Sequence, residues 1–214
     1  MPDARRPATA PTATAPTTAP TATAPTTAPA TTSAPHPSEL WYAGPDMGPV
    51  AVLVGLPGAG KSTVGRLLAG RLGVGLRDTD EDVERRTGQS VAEIFATQGE
   101  GRFRELERAA VRAALAHHRG VLALGGGAVE DPGTRALLVG GPVVHVDAGV
   151  REVLGRRGAV TGRPLLAGDA AVRLRELAAR RAPLYREVAR VTVTPDGRGA
   201  EEVADAVLRA LAMG

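Results

Sequence analysis

Apolar residues fall along this chain in two alternating rhythms. Val50 to Val54, Val121 to Leu124, Val143 to Val146 and Val191 to Thr194 are short runs rich in β-branched residues, the composition of strands buried on both faces. Val74 to Arg77 adds a further short strand that ends at Asp78-Thr79-Asp80. Between these runs the spacing turns helical. Val64, Leu67, Leu68 and Leu72 follow the first run, and a helix begins near Val83. Ser90 caps a short helix carrying Val91, Ile94 and Phe95, which Gly99 breaks. A long amphipathic helix is predicted from Arg102 to His118, further helices from Val150 to Arg156 and Ala170 to Arg181, and a closing amphipathic helix from Glu201 to Leu211. Strands and helices alternating at these lengths predict a five-stranded parallel sheet with right-handed crossovers and helices on both faces, a three-layer α/β/α domain. Ligands of such sheets gather at the strand C-termini.

The pattern stops short of the first residues. Residues 7 to 35 are almost entirely Ala, Pro and Thr, and Pro11 to Ala19 recurs identically at Pro20 to Ala28. With no large apolar side chain to bury, such a segment cannot offset its ordering entropy. Residues 1–47 are therefore expected to be a disordered tail and 48–214 one folded domain. The tail has no apolar run of signal-peptide length, and its prolines oppose the amphipathic helix of a transit peptide. No stretch reaches the roughly 20 apolar residues of a membrane span. The absence of cysteine excludes disulfides and thiolate metal sites. A cytoplasmic protein with no membrane association is expected.

A net charge of +3 raises the question of nucleic acid. The arginines, however, are interleaved with carboxylates, as in Glu100 to Arg108, and 2% aromatic residues leave little for base stacking. No nucleic-acid partner is expected.

Charge composition points elsewhere. Lys and Arg together number 26, yet Lys61 is the single lysine, inside Gly55-Leu56-Pro57-Gly58-Ala59-Gly60-Lys61-Ser62-Thr63. The spacing is that of a phosphate-binding loop between a strand and a helix. Backbone N–H groups from Gly58 to Thr63 and the helix N-terminus cradle phosphates, Lys61 reaches the terminal ones, and the Ser62 hydroxyl joins Mg²⁺. An ammonium on a flexible stem can follow a moving phosphoryl group as a planar guanidinium cannot.

A phosphate loop names a nucleotide, not an acceptor. The additional signals are Asp78-x-Asp80 and Gly125-Gly126-Gly127 at two other strand ends, Phe103-Arg104-x-x-Glu107 on a helix, and Arg181-Ala182-Pro183-Leu184-Tyr185. Between Gly158 and Gly168, Arg163-Pro164 lies in a glycine-punctuated segment with the character of a mobile flap. Taken together, these motifs resemble the shikimate kinase family, a member of the nucleoside-monophosphate-kinase-like P-loop group, from about Val50 to the C-terminus.

The resemblance implies phosphoryl transfer from ATP to the 3-hydroxyl of shikimate, with Mg²⁺, in chorismate and aromatic amino-acid biosynthesis. It implies Lys61, Asp80 and Arg163 as the catalytic groups. Asp80 would orient the attacking hydroxyl and take its proton, and Asp78 would join Ser62 at the metal. Arg104 and Arg181 would clamp the substrate carboxylate, with Gly125, Gly126 and Gly127 approaching the ring. Arg163 would reach the phosphates from the flap, and Arg156 and Arg198 would lie near the adenine. Each residue also has a plainer reading: Asp80 as a helix N-cap, Asp78 as a turn carboxylate, Arg104 paired with Glu100 or Glu107 on its own helix, the three glycines as a tight turn. His145 lies where an apolar or aromatic residue is expected and is read as a tolerated strand histidine. ATP and shikimate are the expected partners, and the protein is expected to be a monomer. Two alternatives remain at this stage, another small-molecule kinase of the same fold, such as a gluconate kinase, and a non-catalytic nucleotide-binding module.

Overall fold

The computed structural model describes residues 48–156, 162–195 and 197–212. The expected tail, 1–47, and residues 158–161 of the expected flap lie outside the described residues. Five strands, β1 (Ala51–Val54), β2 (Leu76–Asp78), β3 (Val121–Ala123), β4 (Val143–Val146) and β5 (Val191–Val193), form one sheet in the order β2-β3-β1-β4-β5. Every pairing is parallel, with Val52 opposite Leu122 on one side and Val143 on the other.

The strands read as unbroken apolar runs because both faces are covered. Alternate residues of β1 divide between two cores. Ala51 and Leu53 pack with Val64 and Leu68 of α1 (Lys61–Leu72) and Val203 and Val207 of α7 (Ala200–Ala212). Val52 and Val54 pack with Val111 and Ala114 of α3 (Val91–His117) and Leu174, Leu177 and Tyr185 of α6 (Ala170–Val188). These side chains are almost entirely removed from solvent, the condition under which each valine or leucine contributes about 1.5–3 kcal/mol. A third cluster, Val83 of α2 (Thr79–Thr87) with Ile94, Phe103 and Leu106 of α3, supports the walls beside the ends of β2 and β3.

Local chemistry sets the helix ends. Ser90 and Glu93 form a reciprocal capping box, and Gly99, at φ 81°, interrupts α3 where the sequence places a break. Asp131 caps α4 (Pro132–Leu138), whose first residue is proline, and α5 is Val150–Gly155. Some boundaries differ from expectation: β2 starts at Leu76 rather than Val74, α2 starts at Thr79 rather than near Val83, and α6 is longer. Helix α6 does not stop at Arg181 but continues through Pro183 to Val188. Proline forfeits one backbone donor, and the stripe Leu174, Leu177, Arg181, Tyr185 and Val188, all buried at helical spacing, outweighs that loss.

Two glycines separate the effect of space from the effect of propensity. Gly70 on α1 is exposed with open space at its Cβ position, whereas a Cβ on Gly120 would fall on the carbonyl oxygen of Gly75 that accepts the Val121 N–H. Gly70→Ala is expected to raise unfolding free energy by up to about 1 kcal/mol. Gly120→Ala should lower it by about 1–3 kcal/mol, because backbone must move. Urea unfolding of the two variants beside the parent checks both signs.

Candidate active site

The phosphate loop crosses from β1 to α1 under close constraint. A Cβ on Gly55 would lie 2.5 Å from the carbonyl oxygen of Val146, so only glycine lets β1 leave the sheet beside β4. Gly58 at φ 82° and Gly60 at φ 93° then turn the chain through conformations that L side chains resist. Gly60 is the N-cap of α1 and supplies no capping side chain, so the first N–H groups of the helix and its dipole are left for an anion. Lys61 is buried, and its Nζ donates to the carbonyls of Gly55 and Leu56, both at 3.0 Å. Burial pulls its ammonium down to about 8, with Asp80 and Asp78 opposing.

Asp78, at the end of β2, ties this loop to the next element. Its Oδ2 accepts from Ser62 Oγ at 2.7 Å and its Oδ1 from the Asp80 N–H at 3.0 Å. Asp78 is thus the N-cap of α2, and Asp80 stands in the first turn rather than serving as the cap itself. Asp80 Oδ1 is buried without a hydrogen-bond partner. Burial pushes this carboxyl up to about 7, with Asp78 and Glu107 adding to the shift and Lys61 and Arg163 opposing it.

The three glycines sit where β3 ends, and each is glycine for a steric reason that the sequence reading did not contain. A Cβ on Gly125 would collide with Asp80 Oδ1 and Glu107 Oε1, one on Gly126 would lie 2.8 Å from Pro57 Cδ, and one on Gly127 would collide with the Arg104 guanidinium. Gly125 differs from the other two. Its N–H donates to Thr79 Oγ1 at 2.9 Å, and it lines neither cavity, so Gly126 and Gly127 are the glycines that face open space.

Arg104 and Arg181 come together across this loop, both already among carboxylates. Arg104 Nη1 donates to Glu107 Oε2 at 2.7 Å and its Nη2 to Glu100 Oε1 at 2.9 Å, so the plain pairing on its own helix does occur. Arg181 is fully buried, donates from Nη2 to Glu130 Oε2 at 2.8 Å, and has Nε and Nη1 without partners. Tyr185 follows one turn later and donates to the Gly126 carbonyl at 2.6 Å. His145 stacks on that tyrosine ring at 4.8 Å and is buried, which explains a histidine where an aromatic contact is wanted.

Two cavities result. The larger, about 590 Å³, is lined by Gly58 through Thr63, Asp78, Arg156 and Arg198. Arg156 reaches the Gly58 carbonyl at 3.0 Å, and Arg198 is held by the carbonyls of Thr194 and Pro195. The smaller, about 240 Å³, is lined by Arg104, Arg181, Gly127, Phe103 and Glu107. Asp80, Gly126 and Arg163 line both, so the cavities meet at a candidate base, a backbone loop and a cation. Every residue selected from sequence except Gly125 reaches one cavity or the other. Sequence reasoning passed over Glu107 as a wall, although its place three residues after Arg104 on one helix face signalled it, and passed over Glu130, for which no local signal exists.

The family profile described as shikimate kinase matches residues 57–212. The shikimate kinase of Mycobacterium tuberculosis (strain CDC 1551 / Oshkosh) is 56% identical over 166 residues, covering 77% of this chain and 94% of the relative. That of Streptomyces coelicolor is 54% identical over 163 residues, covering 76% and 95%. Among solved structures, shikimate kinase from Acinetobacter baumannii in complex with shikimate aligns with a TM-score of 0.74 at 37% identity, covering 78% of this chain and 93% of that one. A profile spanning most of the folded residues and relatives above half identity agree with the two-cavity geometry: this chain belongs to the shikimate kinase family.

Proposed function

We propose that the two cavities hold the two substrates of a single phosphoryl transfer, ATP over the phosphate loop and shikimate beside Arg104 and Arg181. As a member of this family, the chain is an ATP-dependent kinase that phosphorylates the 3-hydroxyl of shikimate, giving shikimate 3-phosphate and ADP. The observation that carries the assignment of sites is the junction itself, where Asp80, Gly126 and Arg163 belong to both walls. In-line transfer needs donor and acceptor oxygens to face one another across a short gap, and catalysis is then mostly positioning and charge stabilisation.

Each residue has work suited to its chemistry. Asp80, with an unpartnered buried oxygen, would accept the hydroxyl proton and aim the oxygen. Lys61 and Arg163 would take up charge on the moving phosphoryl group. Arg181, with two buried donors unspent, and Arg104 would receive the acceptor's carboxylate, which would exchange with Glu100, the most exposed of Arg104's partners. The Ser62–Asp78 pair fits Mg²⁺ held by few protein ligands and several waters, and when bound the ion would neutralise charge on the phosphate oxygens. A pair of buried or half-buried arginines at the acceptor cavity fits a carboxylate-bearing acceptor; gluconate also carries a carboxylate, and it is the family match that favours shikimate over it. An intact lysine, base and flap arginine argue against a non-catalytic module. No helix among the described residues is long and apolar enough to cross a membrane. We further propose a cytoplasmic monomer whose catalytic domain is 48–214.

Lys61→Arg keeps the charge but replaces a compact ammonium, buried against two carbonyls, with a larger planar group. Its kcat/KM is expected to fall by at least about 10²-fold, and a coupled ADP-release assay measures it. Arg104→Ala should raise the shikimate KM by about one to two orders of magnitude while the ATP KM stays near that of the parent, since hydrogen bonds to charged groups contribute about 1.5–3 kcal/mol. Asp80→Asn should instead depress kcat by about 10²-fold to 10⁴-fold. An Arg104→Ala enzyme impaired only toward ATP contradicts the arrangement.

The pH dependence follows from the same groups. Asp80 must be ionised to accept a proton, and its carboxyl is pushed up to about 7, so kcat/KM should fall as pH drops below about 7. Lys61 must stay charged and is pulled down to about 8, so activity should also fall as pH rises past about 8. A narrow optimum between those limbs is expected, and Asp80→Asn should lose the acid limb in a pH-rate profile of the purified enzyme.

A further inference from the structure

Glu130 ends the 3-10 turn Ala128–Glu130 that follows Gly127, and it is the meeting point of three arginines. Its Oε2 lies 2.8 Å from Arg181 Nη2 and 3.5 Å from Arg104 Nη2, and its Oε1 lies 2.7 Å from Arg180 Nη2. One carboxylate therefore connects the glycine loop to α3 and α6, the elements that carry the two guanidiniums of the smaller cavity. Glu130 itself does not line that cavity. It stands behind the arginines, outside the space an acceptor would fill.

The buried state of Arg181 makes this support consequential. Arg181 has no exposed surface, and Glu130 is its one ion-pair partner among the described residues. The other carboxylate acting on it is Glu107, which is buried, with Oε1 lacking a partner. A buried guanidinium deprived of its counter-ion is strongly destabilised and moves to the nearest compensating charge. Without Glu130 that charge is Glu107, and the turn toward it would spend on the protein the donors that now remain open.

We infer that Glu130 is a positioning residue for the acceptor's carboxylate: it holds Arg181 through Nη2 alone, keeping Nε and Nη1 free for the incoming anion. The inference rests on the reading of the smaller cavity as the shikimate site and adds to it a residue that never touches substrate. It also explains why Arg180, although exposed, is drawn to the same carboxylate, since a second partner on Oε1 fixes the direction in which Oε2 points.

The test uses the full chain and three variants, Glu130→Gln, Glu130→Ala and Glu130→Asp, with folding followed by circular dichroism and thermal melting. Steady-state kinetics are measured with ATP and either shikimate or its carboxamide, which keeps the ring and hydroxyls but lacks the charge. In the parent, shikimate should be favoured over the carboxamide in kcat/KM by 10²-fold or more, on the order expected of charge-assisted pairing. In Glu130→Gln and Glu130→Ala the shikimate KM should rise by about tenfold and the preference should shrink by a similar factor, with the ATP KM and the saturated kcat within about twofold. Glu130→Asp, which restores the charge at shorter reach, should recover part of the loss and serves if the other variants fold poorly. An undiminished preference in every folded variant overturns the inference while leaving the shikimate site standing. A lowered shikimate KM also overturns it, since Glu130 would then be a competitor for the arginines. A parent enzyme with no preference for the carboxylate refutes the site assignment, and the inference with it.

Discussion

The carboxylate of Asp78 joins the two halves of the site through its two oxygens. One accepts from the hydroxyl of Ser62 in the first turn of α1, and the other accepts from the backbone of Asp80 in the first turn of α2. Because Asp78 closes β2, its place is fixed by the sheet, where it stands opposite Ala123 of β3. The phosphate loop, the start of α2 and the glycine loop after β3 are therefore referenced to one strand end, and Thr79 completes the set by receiving the Gly125 N–H. The spacing between the two cavities is set by that cluster rather than by long loops. Positioning of this kind supplies much of the barrier reduction in a transfer with little covalent chemistry for the protein to perform.

The same geometry concentrates charges that burial disfavours. Lys61 is held low and Asp80 high by desolvation, each partly relieved by the other. Around the smaller cavity Glu107 is also raised, chiefly by burial, although Arg104 draws it down. Replacing a single member would leave its partner buried and uncompensated, a larger penalty than the pair contributes in net stability. Such a cluster is a poor choice for holding a fold together and a good one for receiving an anion and a hydroxyl. The stability of the domain rests instead on the two apolar layers around β1, which lets the polar site be arranged for chemistry.

How much was legible in the chain follows from how local each feature is. The strands, the phosphate loop, the Ser90 cap and the break at Gly99 are written in adjacent residues, and all appear close to where expected, with β2 shifted to Leu76–Asp78. The end of α6 was not legible, because Pro183 is a stop signal locally and the buried stripe that overrides it needs the sheet. Asp80 could be taken for a cap until Asp78 was seen to fill that place. The glycine loop was expected to expose backbone to a substrate, yet the three Cβ positions are blocked by Asp80, Glu107, Pro57 and Arg104, contacts from three segments of chain. Glu130 was beyond reach, since its partner Arg181 is 51 residues away and no spacing rule connects a turn to a distant helix.

On the proposed assignment of the cavities, this difference in legibility reflects a division of labour between them. The nucleotide side is built mostly from backbone, with positive-φ glycines, an uncapped helix N-terminus and one lysine, and such a device recognises phosphate whatever its bearer. It must be contiguous in sequence, because consecutive N–H groups make it. The acceptor side is built from side chains on α2, α3 and α6 together with the glycine loop, segments that lie apart in the sequence. Specificity for one acceptor has to reside there, since the phosphate loop cannot distinguish acceptors that never touch it. A change of acceptor would then require altering residues such as Arg104, Arg181 and their glutamate partners together, because a guanidinium retained without its carboxylates, or the reverse, leaves a buried charge unpaired.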